Sequence, residues 1–147
     1  NDDRVKFNKD LVKYLKVHKD KLSEESLTRL EKNPTRILDS KDSNDLEILV
    51  DAPKLSEYRS NKSSDNYEKI INLISNAKIS YKENPMLVRG LDYYNDFTFE
   101  IVPNGSSGSQ DALGGGGQYD KLSSLLGGKD INGIGVAFGV DRIMDLY

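Results

Sequence analysis

At 147 residues the chain is sized for one domain, or for a modest domain with an appendage. With no cysteine among its 36% apolar and 31% charged residues, it excludes a disulfide framework and a thiolate metal site. Net charge is −3 with opposite signs interspersed, which argues against a dedicated nucleic-acid module with a basic face and leaves room for RNA contact through one local patch. The single histidine, His18, makes a zinc site an unlikely ligand set. No apolar run approaches the roughly 20 residues of a bilayer span, and the N-terminus lacks a signal-type apolar core, so a cytoplasmic setting without membrane contact is expected. The chain runs from Asn1 to Tyr147 and ends in a helix-like pattern, as expected of a fragment.

Residues from about Asp3 to Ser80 read as helical. Leu11, Val12 and Leu15, then Leu22, Leu27 and Leu30, recur at three- and four-residue spacings among lysines and glutamates. Ser23, Glu24, Glu25 and Ser26 look like a helix start, because a hydroxyl caps free N–H groups and acids suit the dipole. Asn33-Pro34 ends that helix, since a residue before proline is pushed out of the α region. Leu46 to Val50 reads as a second helical segment, closed by Asp51-Ala-Pro53. Ser60 to Asp65 reads as a loop, and a longer helix follows with Tyr67, Ile70, Ile71, Leu73 and Ile74 as its stripe. His18 and the Lys13, Lys16, Lys19, Lys21 series read as solvated positions, with a phosphate-backbone contact as the lysines' functional alternative.

Near Ala77 the character turns strand-like, and the domain boundary is placed there, between residues 81 and 82. Lys78 to Lys82 alternates and Asn84-Pro85 turns. From Tyr93 to Val102 the odd positions Tyr93, Asn95, Phe97, Phe99 and Ile101 face the even positions Tyr94, Asp96, Thr98, Glu100 and Val102, the period of a half-buried strand. Pro103-Asn104-Gly105 signals a turn, and Ser106 to Gln110 a polar loop. Gly114 to Gly117 is followed by a short helix over Tyr119 to Leu126, stopped by Gly127-Gly128. Gly133 to Gly139 reads as a buried strand, with a helix starting at Val140.

Four features have chemistry in them. Arg89 stands at a strand entrance beside Gly90. Its planar fork suits a carboxylate or a transferring phosphoryl group, or else pairs structurally with Asp92 or Asp96. Tyr93 and Tyr94, placed on opposite strand faces by the alternation, read as core tyrosines or as one pocket hydroxyl. The run Gly114 to Gly117 reads as an anion-binding backbone, a linker or an ordered piece of sheet; it has neither the Lys-Ser/Thr of a P-loop nor spaced dinucleotide glycines. Arg142, in the first turn after Gly139, suits a phosphate or nucleotide, or else open solvent.

In that order the residues resemble the histidyl-tRNA synthetases, class II aminoacyl-tRNA synthetases. Leu87-Val-Arg-Gly-Leu-Asp-Tyr-Tyr94 is similar to that family's histidine-specific signature, and Gly115 to Asp120 to its Gly-Gly-Arg-Tyr-Asp element. Gly133 to Ile143 resembles class II motif 3, and Asn33 to Lys41 resembles part of the inserted helical domain. The resemblance implies an α+β fold: a mainly helical insertion domain over residues 1–81, then over 82–147 the C-terminal half of an antiparallel catalytic sheet with flanking helices.

It also implies roles. Arg89 would be the catalytic arginine on the histidine carboxylate and the α-phosphate. Tyr93 and Tyr94 would line the histidine pocket, Tyr94 reaching the imidazole, with Gly116, Gly117 and Tyr119 as the wall. Gly139 and Arg142, with Arg89, would hold ATP. The implied reaction joins histidine to ATP's α-phosphate, releases pyrophosphate, and passes the histidyl group to the terminal ribose of tRNA(His). Magnesium and arginines would offset the negative charge in the parent enzyme, without a dedicated metal site in these residues. The helical domain would approach the tRNA acceptor stem, and the parent would be a homodimer. Gln118 departs from the pattern by replacing an arginine, and counterparts of motifs 1 and 2 and of the anticodon-binding domain are missing, so the 147 residues alone are expected not to catalyse. A non-catalytic relative, such as the regulatory subunit of ATP phosphoribosyltransferase, and an RNA-binding fragment are the competing expectations.

Overall fold

The computed structural model describes residues 2–89, 93–105 and 111–146. These form two compact units, residues 1–90 and 91–147. Asp92 and the stretch Ser106 to Gln110, expected from the sequence to be a polar loop, lie outside the described residues.

The first unit is helical. Helix α1 (Asp2–Val17) opens on Asp2 and Asp3, acids at the positive end of its dipole, and carries Phe7, Leu11 and Leu15 at four-residue spacing. These three side chains are buried with Leu22, Ile37, Leu38, Ile48, Leu49 and Ala52. A fully buried side chain of this size contributes roughly 1.5–3 kcal/mol, so this cluster is the main source of the unit's stability. Helix α2 (Glu24–Lys32) begins where the sequence indicates. Ser23 Oγ accepts the Ser26 N–H at 3.2 Å, and Asn33 closes the helix before Pro34. A 3-10 segment, Pro34–Asp39, brings Ile37 and Leu38 into the core. Helix α3 (Ser43–Leu49) is capped by Asp42, whose side chain accepts from Asn44 and Asp45 N–H.

Helix α4 (Asn61–Asn76) starts earlier than its apolar stripe suggests. Ser60 to Asp65 is therefore not a loop. Ser60 caps the helix by accepting the Ser63 N–H, and the Asp3 carboxylate accepts from Ser60 N–H, Ser60 Oγ and Ser63 Oγ at 3.0, 3.1 and 2.7 Å. A polar run with no apolar period reads as loop, yet here a cap and a carboxylate satisfy the free N–H groups that polar side chains would otherwise leave to water. The helix ends on Lys78 at φ 56°, with the Ile79 N–H donating to Ile74 O at 3.1 Å. The alternation over Lys78 to Lys82 makes no strand, and these residues are exposed. Residues 82–89 stay with the helical unit, where Met86 and Val88 pack on its core.

The second unit is a three-stranded antiparallel sheet in the order β1 (Thr98–Ile101), β2 (Gly114–Gln118), β3 (Ile134–Phe138). The glycine run is its central strand. Thr98 stands opposite Gly117 and Ile101 opposite Gly114, while Gly114 stands opposite Phe138 and Gly117 opposite Gly135. This register assigns the faces. Phe99, Ile101, Ile134, Val136 and Phe138 share one side, and Thr98, Glu100, Gly115, Gly117, Gly135 and Ala137 the other. Helix α5 (Leu122–Leu125) links β2 to β3 and is followed by Gly127 at φ 83°, and α6 (Val140–Met144) follows β3. Helices and a small antiparallel sheet thus occur together, as the α+β expectation has it.

Candidate functional site

Regular pairing in β1 begins only at Thr98, so residues 93–97 form a turn and an extended lead-in rather than the start of a long strand. The opposite-face placement of Tyr93 and Tyr94 is corrected accordingly. Their ring centroids lie 4.8 Å apart. Alternation holds only where a chain is pleated against a partner, and at Tyr93 it is not. Tyr119, just past β2, completes the cluster, with its ring centroid 5.7 Å from Tyr93 and 6.3 Å from Tyr94.

The rings rest on bare backbone. A Cβ at Gly117 would stand 2.8 Å from Tyr94 Cδ1 and would also press on the Phe97 carbonyl oxygen. A Cβ at Gly133 would stand 2.6 Å from Tyr119 Cε2, and one at Gly135 would collide with the Tyr119 hydroxyl. On the opposite face a Cβ at Gly116 would meet the Gly135 carbonyl oxygen and, at 2.9 Å, Phe99 Cζ. Glycine is needed at these positions for close approach, not for a special φ. The Tyr94 and Tyr119 rings thereby lie over glycine backbone, with the Tyr93 ring packed against both.

The lead-in is tied down by polar contacts. The Asn95 side-chain amide pairs with Asp120 in both directions: Oδ1 accepts the Asp120 N–H at 2.8 Å, and Nδ2 donates to Asp120 Oδ2 at 3.2 Å. Gln118 Nε2 donates to the same Oδ2 at 2.6 Å, and the Gly133 N–H donates to Oδ1 at 3.2 Å. Gln118, where the resemblance expects arginine, is thus a neutral donor to a carboxylate. The sequence places Asn95, Asp120, Gly133 and Gly135 in its alternation and motifs but assigns them no site role; the Gly-x-Gly spacing at the head of β3 is the signal that points to such a floor.

Gly139 follows the far end of β3, four residues beyond Gly135 and roughly 13 Å along the strand at about 3.3 Å per residue, and Arg142 lies in the first turn of α6. Arg142 lays its stem over Gly139, where a Cβ would be 3.5 Å from Arg142 Cδ, and donates from Nη1 to Ala112 O at 2.7 Å. One of its five N–H groups is engaged there. Arg89 is half-buried in the first unit. Among the described residues no group of three or more His, Asp or Glu side chains gathers that could hold a metal ion, and no helix is long and apolar enough to cross a membrane.

A cluster of tyrosines packed on a glycine-rich antiparallel sheet, joined in one chain to a helical unit, defines an α+β protein. The family model for histidyl-tRNA synthetase matches residues 9–143, and the chain belongs to that family. Histidine–tRNA ligases of Protochlamydia amoebophila and of Wolbachia pipientis wMel are 45% and 48% identical over 96% and 97% of this chain. That of Rickettsia typhi is 44% identical over 97%. The chain spans about a third of these relatives' length, 33–35%. The crystal structure of apo Staphylococcus aureus histidyl-tRNA synthetase superposes with a TM-score of 0.66 at 29% identity, over 97% of this chain and 34% of that one.

Proposed function

We propose that these residues supply part of the active site of a histidine–tRNA ligase, with the Tyr93–Tyr94–Tyr119 cluster as the wall of the histidine pocket. The observation that carries this reading is the packing of Tyr94 and Tyr119 on Gly117, Gly133 and Gly135. An imidazole is a flat ring with a polar edge, and phenols over bare backbone offer it both a stacking surface and hydroxyl partners. Tyr94 is assigned the imidazole hydrogen bond, with Gly116, Gly117 and Tyr119 beside it. Arg89 is assigned the substrate carboxylate and the α-phosphate, where its fork would offset charge as the carboxylate attacks and pyrophosphate leaves. Gly139 and Arg142 are assigned to ATP, Arg142 through the donors not engaged by Ala112.

Magnesium in the parent enzyme would offset phosphate charge, but with no ligand cluster among the described residues no step is assigned to a metal held by this chain. The second step, transfer to the terminal ribose of tRNA(His), is assigned to the parent as a cytoplasmic homodimer, with the helical domain of residues 1–81 on the acceptor stem and residues 82–147 as the catalytic part.

Histidine binding to the full-length parent, measured by calorimetry, tests the assignment. Arg89→Ala is expected to weaken binding by about ten- to a hundredfold, the range for a charge-assisted hydrogen bond of about 1.5–3 kcal/mol. Unchanged affinity would remove Arg89 from the site. Histidine binding without ATP–pyrophosphate exchange in the wild-type parent would favour a non-catalytic relative instead.

A further inference from the structure

We propose that Asp120 is the positioning residue of the tyrosine cluster: one carboxylate holds together the three segments on which the rings depend. This rests on the pocket reading above and goes beyond it, since neither Asp120 nor the groups that bond to it are among the residues assigned to substrate. The first segment is the lead-in carrying Tyr93 and Tyr94, tied through Asn95 by the two-way pairing at 2.8 and 3.2 Å. The second is the end of β2, where Gln118 donates at 2.6 Å immediately before Tyr119. The third is the head of β3, where the Gly133 N–H donates at 3.2 Å. Gly133 also accepts the Tyr119 N–H at 2.8 Å and forms part of the floor beneath that ring.

The backbone contributes less at this point. Outside regular pairing, the lead-in is linked to β2 by the Asn95 N–H on Gln118 O and the Gln118 N–H on Phe97 O, both at 3.0 Å. Neither bond reaches β3. Asp120 touches all three segments through its side-chain oxygens, and its donors there are neutral. The chemistry dictates which change is informative. Asn95 cannot reverse its amide, because its Oδ1 already accepts the Asp120 N–H. The Gly133 N–H is also a fixed donor. An amide at position 120 therefore places its NH2 either against the Gly133 N–H or against Asn95 Nδ2 together with Gln118 Nε2, and of these only Gln118 can turn over. An isosteric Asp120→Asn change breaks the clamp while conserving volume.

Two measurements test this. The 147-residue chain has no tryptophan, so its near-ultraviolet circular dichroism reads tyrosines, and Tyr93, Tyr94 and Tyr119 are closely packed. Asp120→Asn is expected to lose at least a third of that signal with the far-ultraviolet spectrum unchanged. In the full-length parent the same change is expected to raise KM for histidine about tenfold, with KM for ATP within twofold of wild type. Gln118→Met, which removes one donor and keeps the length, is expected to raise it about threefold. It decides the matter in the same way if the Asn protein does not fold. A wild-type tyrosine signal in both variants, or KM values for histidine and ATP that rise together, would overturn the proposal. A wild-type parent that does not bind histidine would instead overturn the pocket assignment, and the dichroism arm would still decide whether Asp120 positions the rings.

Discussion

Gly117 and Asp45 show how single residues govern the two units. At Gly117 the missing side chain matters, because one methyl group would enter the space of the Tyr94 ring and the Phe97 carbonyl. Gly117→Ala is expected to cost about 1–3 kcal/mol from overpacking and to weaken histidine binding to the parent at least tenfold. Thermal unfolding and calorimetry check the two effects separately, and unchanged histidine affinity would show that Tyr94 does not need its present seat. Asp45 works by the opposite means. It is fully buried, and its carboxylate accepts from Ser23 N–H, Ser23 Oγ, Ser26 Oγ and Ser40 Oγ at 2.9, 2.8, 2.6 and 2.6 Å. Burial alone would raise its pKa, but the hydrogen bonds from Ser26, Ser40 and Ser23 outweigh it and hold the carboxyl below its ordinary value. A carboxyl depressed in the folded state adds stability that is complete above its unfolded value, near 4, and is lost as pH falls through the folded value. The urea midpoint of the helical signal is therefore expected to be flat above about pH 5 and to fall below about pH 4. Asp45→Ala, which strands the buried Ser26 hydroxyl and the half-buried donors of Ser23 and Ser40, should lower stability at pH 7 by about 3 kcal/mol and flatten that acid limb.

At the scale of elements, caps and partners decide what periodicity leaves open. Ser60 is both the cap of α4 and a donor to Asp3, whose carboxyl is held low first by the Ser60 N–H and then by Ser63 Oγ. Ser60→Ala is expected to destabilise the chain by about 1 kcal/mol, typical for a lost cap. Chemical denaturation followed at 222 nm measures it, and no change would mean that α4 is held by its stripe instead. That stripe is thinly covered. Tyr67, Ile70, Ile71 and Ile74 are half-buried, Leu73 is exposed, and the Arg59 guanidinium lies 3.8 Å from the Tyr67 ring centroid. Strand β2 makes the complementary point. A run of four glycines carries no β-propensity and is costly in entropy. It is nevertheless the central strand, because two neighbours satisfy its backbone groups and the aromatic rings cannot fit over anything larger.

For the molecule as a whole, family membership and length point to division of labour. The chain spans about a third of its relatives, 33–35%, and the 147 residues expressed alone are expected to give no ATP–pyrophosphate exchange with histidine. Robust turnover would show that these 147 residues suffice for the exchange reaction. On β3, Ile134, Val136 and Phe138 form an apolar row that is 51–67% exposed.

Much was readable from residues alone. The α1 spacing of Leu11, Val12 and Leu15, the Ser23 cap and the Asn33-Pro34 stop are local matters, decided within a turn or two of helix by sterics and capping chemistry. The order of Arg89, the two tyrosines, the glycine run and Arg142 carried the family resemblance. Contacts between distant residues decided the rest. Whether Gly114 to Gly117 is linker or strand depends on partners 13 to 24 residues away in sequence, such as Ile101 and Phe138. Whether Tyr93 and Tyr94 diverge or meet depends on where that pairing begins. Whether Ser60 to Asp65 is loop or helix depends on a carboxylate 57 residues upstream of Ser60. A side-chain period reports which face is apolar; it carries no record of which distant group will satisfy a backbone N–H or leave room for a ring.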